Sequence, residues 1–581
     1  MKPAKTASHP SQRRWARLLL LPLLLTLGAA RVASASITPL GIDATTSRYF
    51  INSSNLITPL LGVSADAGCN LHVGGGTDLC TFDSSAPAYY QNVLNDLSAK
   101  NINKIRLWVS INGGSYAAST CTAVAPNAQD QPFLYYPTPP RPDGIGVWHL
   151  DERNTTFFSN LAQVVAFAQS RPNKIYVEVT FFVPWEGAWE LGPWHPNHGR
   201  VAGGSTTVGF TDRAYFVKND TSPTTGPTNE AMRVYQKNVI DWTVDALASY
   251  DNVYFEIANE PEAFVPKSGS CGQPASQTAL AANVATWQNS MISELQTYET
   301  NHYVNTGLLT RRHLVAVQPF STTGASLAFG HADIVNGHFT TIDSAHGGMG
   351  AITLARTYPT QPTILASNED KISGDSSTAP VPSANTRSCA AANCQGQPDS
   401  ARAGAWEFML NRGGAFDHFG YFYNSTFGSQ IRTQLAALKT FLFSLPLRQL
   451  VVSPDPPAWI NIGSYATNAS SNKYYAALEP ASTAATKKYA LYIHHSMTRG
   501  SMAFQGYQPV TRAAAAESYK LCLGASANYL VEWISPTTGG VLSSTTLPWT
   551  ASGTCANGGP GSVTVTSPSF VYDIALRVTQ Q

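Results

Sequence analysis

The sequence predicts an α/β protein in which a TIM-type (β/α)8 barrel is followed by a β-sandwich. Between about residues 58 and 445, short apolar runs alternate with longer amphipathic segments, which is the pattern of strands interleaved with helices. After Pro454-Asp455-Pro456-Pro457 the helical pattern stops, and short alternating segments follow with Gly, Ser, Thr and Pro between them. The 581 residues also leave room for a second unit beyond one barrel.

The N-terminus predicts an export signal over residues 1–35. A group of arginines precedes the apolar run 18–27, and a small-x-small cleavage site stands at 33–35. The apolar run is too short to anchor the chain in a bilayer, and no other segment has the composition of a membrane span. We therefore expect a secreted or periplasmic protein with a catalytic barrel over 36–448, opening with a short strand hairpin, and a β-sandwich over 455–581.

The barrel prediction depends on eight strand candidates, most of them rich in Val, Ile, Phe and Tyr, as buried parallel strands are. They are Leu60–Ala65, Lys104–Ser110, Lys174–Phe182, Asn252–Ala258, His313–Phe320, Asp333–Phe339, Thr363–Ser367 and His418–Tyr423. Apolar residues at helical spacing lie between or after them, at 157–168, 235–246, 280–295 and 430–443. The sandwich strand candidates are Tyr474–Leu478, Lys488–His494, Tyr519–Cys522, Tyr529–Ile534, Val563–Thr566 and Phe570–Val578.

Composition limits the classes of partner. Charged residues make up 13% of the chain and the formal net charge is +1, so the basic stripe of a nucleic-acid binder is missing. The balance fits a neutral partner such as a carbohydrate, which is bound by aromatic faces together with amide and hydroxyl groups. No glycine-rich phosphate loop follows a strand, and the histidines form no metal-binding constellation. We expect no cofactor and no metal.

The cysteines agree with export, because an even number in a secreted chain indicates disulfides. Proximity along the chain favours Cys69–Cys80, Cys389–Cys394 and Cys522–Cys555, which leaves Cys121–Cys271 by elimination. None of the eight cysteines has CxxC spacing, which argues against a zinc site or a redox motif.

The strongest chemical signal is a strand candidate that runs directly into Asn259-Glu260-Pro261. Barrel enzymes carry their catalytic groups at the C-terminal ends of the strands. A carboxylic acid with a raised pKa can protonate the leaving oxygen of a glycoside, so Glu260 is the candidate acid/base. Asn259 is placed to hydrogen-bond the sugar 2-hydroxyl. The competing interpretation is structural, with Asn259 capping a helix that has Pro261 in its first turn.

A second carboxylate ends the seventh strand candidate. Glu369 would attack the anomeric carbon as the nucleophile, and water activated by Glu260 would then release the sugar with retained configuration. Asp370 is the rival nucleophile. Because successive strand side chains point to opposite faces, only one of the two should face the site. The alternative is a solvated acidic loop neutralised by Lys371.

These motifs resemble glycoside hydrolase clan A and, more narrowly, an apiosidase-like family of that clan (family-140-like or family-5-like). The matching segments are Ser47–Phe50 with Leu60–Gly62, Asn103–Trp108, Trp189–His198, Ser367–Asp370, Trp533–Gly539 and Phe570–Leu576. His198 stands where the family has an Asn, which puts the substrate contacts of that Trp-rich loop in doubt. The last two segments resemble a β-sandwich module that is commonly labelled collagen-binding.

The resemblance implies roles for further residues. Arg106, inside the second strand, matches the arginine that orients the nucleophile and would keep Glu369 ionised, the alternative being a structural ion pair elsewhere. His338, at the end of the sixth strand, matches a residue that hydrogen-bonds the nucleophile, the alternative being a structural histidine. The remaining substrate-binding candidates are aromatic residues that would stack on sugar or else pack in the core, namely Trp185, Trp189, Trp194 and Tyr421. Tyr423 is a further candidate of the same kind.

The sequence as a whole therefore predicts a secreted retaining O-glycosyl hydrolase that cleaves an oligosaccharide or polysaccharide by double displacement. The alternative is a non-catalytic carbohydrate-binding or adhesion protein built on the same frame. Glu256 lies within the fourth strand, below the mouth of the barrel, and Glu262 lies beyond Pro261, so neither is expected to be catalytic.

Overall fold

The structure is a computed structural model, and the ranges of the chain that it describes are the following. They are 36–64, 89–111, 116–117, 122–123, 131–137, 146–183, 192–201, 207–209, 216–217, 229–259, 261, 267–268, 273–274, 278–318, 331–337, 364–370, 397–411, 413–419, 426–454, 456–462, 472–497, 508–509, 513–550 and 562–581. All structural statements below concern these residues.

Eight parallel strands of the described chain close into a barrel. They are β1 (Leu60–Ser64), β2 (Lys104–Ile111), β3 (Tyr176–Val183), β4 (Val253–Ala258), β5 (Val315–Val317), β6 (Ile334–Gly337), β7 (Ile364–Asp370) and β8 (Ala415–Phe419). Each strand pairs with the next one along the chain, and β8 pairs with β1, so the ring has no edge. The predicted (β/α)8 barrel is confirmed.

Six α-helices are described on the outside of the barrel. Five of them lie between consecutive strands, and the sixth follows β8. They are α1 (Tyr89–Ala99), α2 (Thr155–Gln169), α3 (Asn229–Leu247), α4 (Thr278–Glu299), α5 (Gln397–Leu410) and, after β8, α6 (Thr426–Phe443). A π-helical turn, Thr300–Val304, extends α4. Asn154 caps α2, because its side chain accepts from the backbone N–H of Phe157. The four helical patterns in the sequence all fall within these helices.

Along a barrel strand, side chains point alternately outward, toward the helices, and inward, into the barrel. Val253, Phe255 and Ile257 of β4 face outward into the large core under the helices. Tyr254 faces inward and packs with Phe50 and other side chains that fill the lower end of the barrel. The upper part of the interior is polar, and it carries the side chains described in the next subsection.

The N-terminal segment closes the lower end of the barrel. Gly41–Ile42 pairs antiparallel with Phe50–Ile51, which is the hairpin that the sequence predicts. Leu40 and Phe50 are fully buried in the cluster that also contains Leu60 and Tyr254 at the start of their strands. Sealing the bottom leaves the opposite face, at the carboxyl ends of the strands, as the open end for a site.

Strand β8 differs from the prediction. The sequence favoured His418–Tyr423, whereas the structure has Ala415–Phe419 in register with β1. Asp417 interrupts the apolar pattern there, yet it lies on the strand and is fully buried because Lys104 pairs with it inside the barrel. Tyr421 and Tyr423, which were placed at the end of this strand, lie outside the described residues.

Two long connections at the open end are joined to each other. Phe133–Tyr136 and Val147–Arg153, between β2 and α2, form an antiparallel pair, and Gly199–Arg200, after β3, adds a parallel strand beside it. Further two-stranded ribbons are Tyr116–Ala117 with Thr122–Ala123 and Lys267–Ser268 with Gln273–Pro274. Connections after strands 2 and 3 therefore build one wall above the barrel.

The C-terminal part is a β-sandwich, as predicted. Its strands are β9 (Leu450–Val452), β10 (Ile460–Asn461), β11 (Asn472–Pro480), β12 (Lys488–Met497), β13 (Gln508–Pro509), β14 (Ser518–Leu521), β15 (Ala527–Ile534), β16 (Val541–Trp549), β17 (Val563–Thr566) and β18 (Asp573–Gln580). One sheet has the order β9-β11-β12-β18-β15-β16, with β13 beside β12, and the other has β10-β14-β17. Aromatic residues such as Trp459, Tyr529 and Trp533 fill the space between them.

Four strands of the described sandwich were not predicted from the sequence, namely β9, β16 and the two-residue strands β10 and β13. Strand β16 is an edge strand with almost every residue exposed, so its Ser and Thr residues show no apolar alternation. Strand β9 follows the short 3-10 turn Leu447–Gln449 directly. Cys522, after β14, is held in a disulfide whose partner lies outside the described residues, and the Cys522–Cys555 pairing stays a prediction.

Candidate active site

Strands β4 and β7 both end at the open face of the barrel. Strand β4 ends at Ala258, and Asn259 follows it with its backbone N–H donated to Phe182 O of β3 at 2.9 Å. Strand β7 runs to Asp370, three residues beyond its predicted end, so Glu369 is its penultimate residue. Glu260 and the side chain of Glu369 lie outside the described residues, as do His338, Trp185 and Trp189.

An irregularity in β7 bears on the choice of nucleophile. The pairing of β7 with β8 shifts register between Ser367 and Asp370. Such β-bulges occur beside active sites and re-aim the side chains that follow them. Simple alternation therefore does not decide between Glu369 and Asp370, and the sequence argument for Glu369 loses that support.

Arg106 is fully buried in the upper interior of the barrel and contacts strand β4. Its Nη2 donates to Glu256 Oε2 and, at 3.0 Å, to Asn259 Oδ1, while its Nε donates to Thr180 Oγ1 at 3.1 Å. Among the described residues its carboxylate partner is thus Glu256, with Glu178 Oε1 3.7 Å from Nε. The predicted contact with Glu369 involves a side chain outside the described part and stays a prediction.

Glu256 is the centre of this arrangement. Its Oε2 also accepts from Thr180 Oγ1 at 2.7 Å, and its Oε1 accepts from Asn336 Nδ2 at 2.7 Å. Burial, opposed by the Arg106 charge and assisted by the Glu178 charge, raises the pKa of Glu256 to about 7. The sequence correctly placed Glu256 below the mouth but did not show that it holds Arg106.

A second buried cation, Lys104, extends the network to β8. Lys104 Nζ contacts Glu178 Oε2 at 2.7 Å and also Asp417 Oδ2. Burial alone would lower the pKa of Lys104, but Asp417 and Glu178 raise it above its usual value. Tyr254 Oη donates to Glu178 Oε2 at 2.7 Å, and Asn336 Nδ2 donates to Glu178 Oε1 at 2.6 Å. The network therefore connects strands β2, β3, β4, β6 and β8.

A pattern in the sequence indicates that the barrel interior contains a polar network. Polar side chains recur at every second position within otherwise apolar strands, as in Lys104 with Arg106 and Glu178 with Thr180. A period of two places these side chains on one face of each strand, and in a barrel that face is the interior. The prediction of nearly continuous apolar strands did not take these alternating polar residues into account.

Trp194 is a core residue rather than a sugar-stacking platform, which corrects the expectation for this position. It is fully buried, and its ring packs edge-on against Phe133 at 5.1 Å and Phe216 at 5.0 Å. Its indole N–H donates to Ser110 Oγ at 3.1 Å. His198 is also fully buried, with Nδ1 2.8 Å from Gly146 O, so in this structure neither presents a surface to a substrate.

Comparison with known proteins identifies the fold. No protein-family model and no curated protein matches the sequence. The chain is similar to a solved structure described as a glycoside hydrolase family 5 from Bacteroides vulgatus, with a TM-score of 0.51, 10% identity and 93% of each chain covered. A second structure, described as a glycoside hydrolase, gives a TM-score of 0.50 and 10% identity over 94% of this chain and 97% of the other.

The chain therefore shares the fold of these glycoside hydrolases. The coverage extends over barrel and sandwich together, so the likeness is not confined to a common barrel. In the described ranges no three His, Cys, Asp or Glu side chains are grouped so as to hold a metal ion. Among the helices of the same ranges none is long and apolar enough to cross a membrane.

Removing the buried Lys104 charge is expected to destabilise the barrel. A Lys104→Met variant leaves Glu178 and Asp417 facing each other without the cation between them, which should cost about 3–5 kcal/mol in the free energy of unfolding. Urea unfolding measures this cost. The matched control is Lys174→Met, whose partner Asp251 lies nearer the surface, and the expected cost there is below about 1 kcal/mol. Equal costs for the two variants would contradict the prediction.

Proposed function

We propose that this protein is a secreted retaining glycoside hydrolase in which Glu260 is the acid/base and Glu369 the nucleophile. The observation that supports the proposal is that strands β4 and β7 end at the same face of a closed parallel barrel. Asn259 and Glu260 follow β4 directly, and Glu369 stands at the end of β7. Hydrolysis of a glycoside requires two carboxyl groups flanking the scissile bond, and the open face of the barrel is where such groups converge.

The reaction would proceed in two displacements. The Glu369 carboxylate attacks the anomeric carbon while the bond to the leaving oxygen breaks, and Glu260 gives that oxygen its proton. Glu260, now a carboxylate, takes a proton from water, and the water oxygen displaces Glu369 from the anomeric carbon. Both carboxyl groups return to their starting states, and the sugar leaves with its original configuration. For retention the two groups should lie roughly 5–5.5 Å apart.

Asn259 supports this proposal through its orientation. Its Oδ1 accepts from Arg106, so the Nδ2 end of the amide is the end available to donate to a substrate hydroxyl. The near-neutral charge of the chain favours an uncharged sugar, and the N-terminal signal favours secretion or export to the periplasm. His338, Trp185, Trp189 and Tyr421 stay candidates for substrate contacts, and the motif resemblance favours an apiosidase-like specificity.

A panel of aryl glycosides and plant or microbial polysaccharides tests the function. We expect hydrolysis of at least one substrate, and proton NMR should show that the first product released retains the anomeric configuration. Release of the inverted anomer would contradict the mechanism. Sugar binding without any hydrolysis would identify a carbohydrate-binding protein instead.

The acid/base has its own test. Glu260→Gln should lower kcat about 10²–10⁴-fold on a glycoside with a poor leaving group, because the departing oxygen then receives no proton. A dinitrophenyl glycoside needs little protonation and should be affected much less in the glycosylation step. The control is Glu262→Gln, two residues further along, which should keep the wild-type rate on both substrates. Wild-type kcat in Glu260→Gln on the poor leaving group would rule out the assignment.

A further inference from the structure

The side chain of Asn259 is fixed from inside the barrel. It is 1% exposed, and its Oδ1 accepts from Arg106 Nη2 at 3.0 Å. The same Nη2 donates to Glu256 Oε2, so one guanidinium nitrogen connects Glu256 with Asn259. The position of the Asn259 amide therefore depends on where Glu256 holds Arg106.

Glu256 is in turn held by three other strands. Thr180 Oγ1 of β3 donates to Glu256 Oε2 at 2.7 Å and accepts from Arg106 Nε at 3.1 Å, which closes a small ring of contacts. Asn336 Nδ2 of β6 donates to Glu256 Oε1 at 2.7 Å. With Arg106 on β2, these contacts leave the Glu256 carboxyl no freedom to rotate without losing a hydrogen bond in a fully buried place.

We propose that Glu256 is a positioning residue: through Arg106 it fixes the amide of Asn259 against the 2-hydroxyl of the sugar in the transition state. The inference rests on the proposed function, because it assumes that a glycoside occupies the open end of the barrel. Hydrogen bonds to the 2-hydroxyl strengthen as the transition state forms, so a displaced amide should reduce kcat more than it raises KM. A misplacement of about 1 Å can cost about 10²-fold in rate.

Replacing Glu256 by glutamine changes the hydrogen bonds of this side chain without changing its size. Glu256 receives donors from Arg106, Thr180 and Asn336, and a glutamine NH2 group would have to face at least one of these donors. Glu256→Gln therefore keeps the size of the side chain while it disturbs the hold on Arg106. Glu256→Asp keeps the charge but withdraws it by one methylene, and it serves as the second variant if Glu256→Gln does not fold.

The test compares an aryl glycoside with its 2-deoxy analogue. Glu256→Gln should lower kcat for the 2-hydroxy substrate about 10–10²-fold and leave kcat for the 2-deoxy analogue within about twofold of wild type. Asn259→Ala should show the same selectivity, and the double variant should be no slower than Asn259→Ala alone because both changes remove one interaction. Equal losses on both substrates, or additive losses in the double variant, would overturn the proposal.

A matched buried acid provides the control for general destabilisation. Glu299, at the end of α4, is fully buried and accepts from the backbone N–H of His313 at 2.8 Å while also contacting its ring Nδ1. His313 precedes β5, so this pair lies at the lower end of the barrel, away from Asn259. Glu299→Gln should lower the thermal midpoint of unfolding and leave the ratio of the two kcat values unchanged.

Failure of the proposal can be told apart from failure of the proposed function. A wild-type protein that hydrolyses no glycoside contradicts the function, and crystal structures of Glu256→Gln and Glu256→Asp then decide the inference alone. Displacement of the Asn259 amide in either variant supports the positioning role. An unchanged contact between Arg106 and Asn259 in a folded variant would refute it.

Discussion

We expect the Glu369→Gly variant to lose hydrolysis of aryl glycosides and to regain turnover when sodium azide is added. Without the carboxylate no glycosyl-enzyme forms, and water is too weak a nucleophile to replace it. Azide is small enough to enter the space left by the side chain, and Glu260 can still assist the leaving group. A single displacement replaces two, so the product should be a glycosyl azide of inverted configuration. Chromatography and proton NMR of the product measure both outcomes.

Asp370→Gly is the matched control, because the bulge in β7 leaves both acidic residues as structural candidates. If Glu369 is the nucleophile, Asp370→Gly should keep measurable hydrolysis and should gain nothing from azide. The reverse pattern, with azide rescue at position 370 and hydrolysis retained in Glu369→Gly, would make Asp370 the nucleophile. The experiment thus decides the point that strand alternation alone does not.

The barrel could be predicted from the sequence because most of its strands are nearly continuous apolar runs. Strand β3 is buried at every position, and such a run is visible without any tertiary information. The end of β7 was harder to predict, since Ser367-Asn368-Glu369-Asp370 is polar although it continues the strand. Strand β8 was misplaced for the same reason, because the buried Asp417 has the composition of a loop but the environment of a core residue.

The sequence indicates which strand ends would carry a site, but not how the buried side chains beneath it are connected. Asn259 and Glu260 follow a strand in the sequence itself, so local reasoning finds them. The link from Glu256 through Arg106 to Asn259 joins residues 150 and 153 positions apart. Which carboxylate pairs with Arg106 depends on the register of neighbouring strands, and in the barrel Arg106 and Glu256 point inward on β2 and β4, which both flank β3. Only closure of the barrel brings these groups into contact.

Between barrel and sandwich, helix α5 carries a buried ion pair. Arg402 Nε and Nη2 donate to the two oxygens of Asp573 on β18, at 2.6 and 3.0 Å, and Tyr492 Oη donates to the same carboxylate at 2.7 Å. The ring of Trp406 stacks on Tyr492 with the centroids 5.2 Å apart. Burial would lower the pKa of Arg402, but Asp573 and Asp399 raise it, so the guanidinium stays charged.

Replacing Asp573 by Leu should therefore be among the most damaging single changes to stability. Arg402, only 3% exposed, would keep Asp399, which is 36% exposed, as its carboxylate partner, and the expected loss is about 3–5 kcal/mol in the free energy of unfolding. Denaturation in urea, followed by tryptophan fluorescence, measures the loss. The double variant Arg402→Met/Asp573→Leu removes both charges and should recover most of it, because no uncompensated buried charge is left.

An exposed pair gives the comparison that makes this result interpretable. Lys100, directly after α1, pairs with Asp96 of α1, each about a quarter exposed, and Lys100→Ala should cost no more than about 0.5 kcal/mol. A loss of that small size in Asp573→Leu would mean that the sandwich is only loosely attached to α5. The large loss expected here, together with the apolar core that Trp406 shares with Ala476 and Tyr492, implies that barrel and sandwich unfold in one transition.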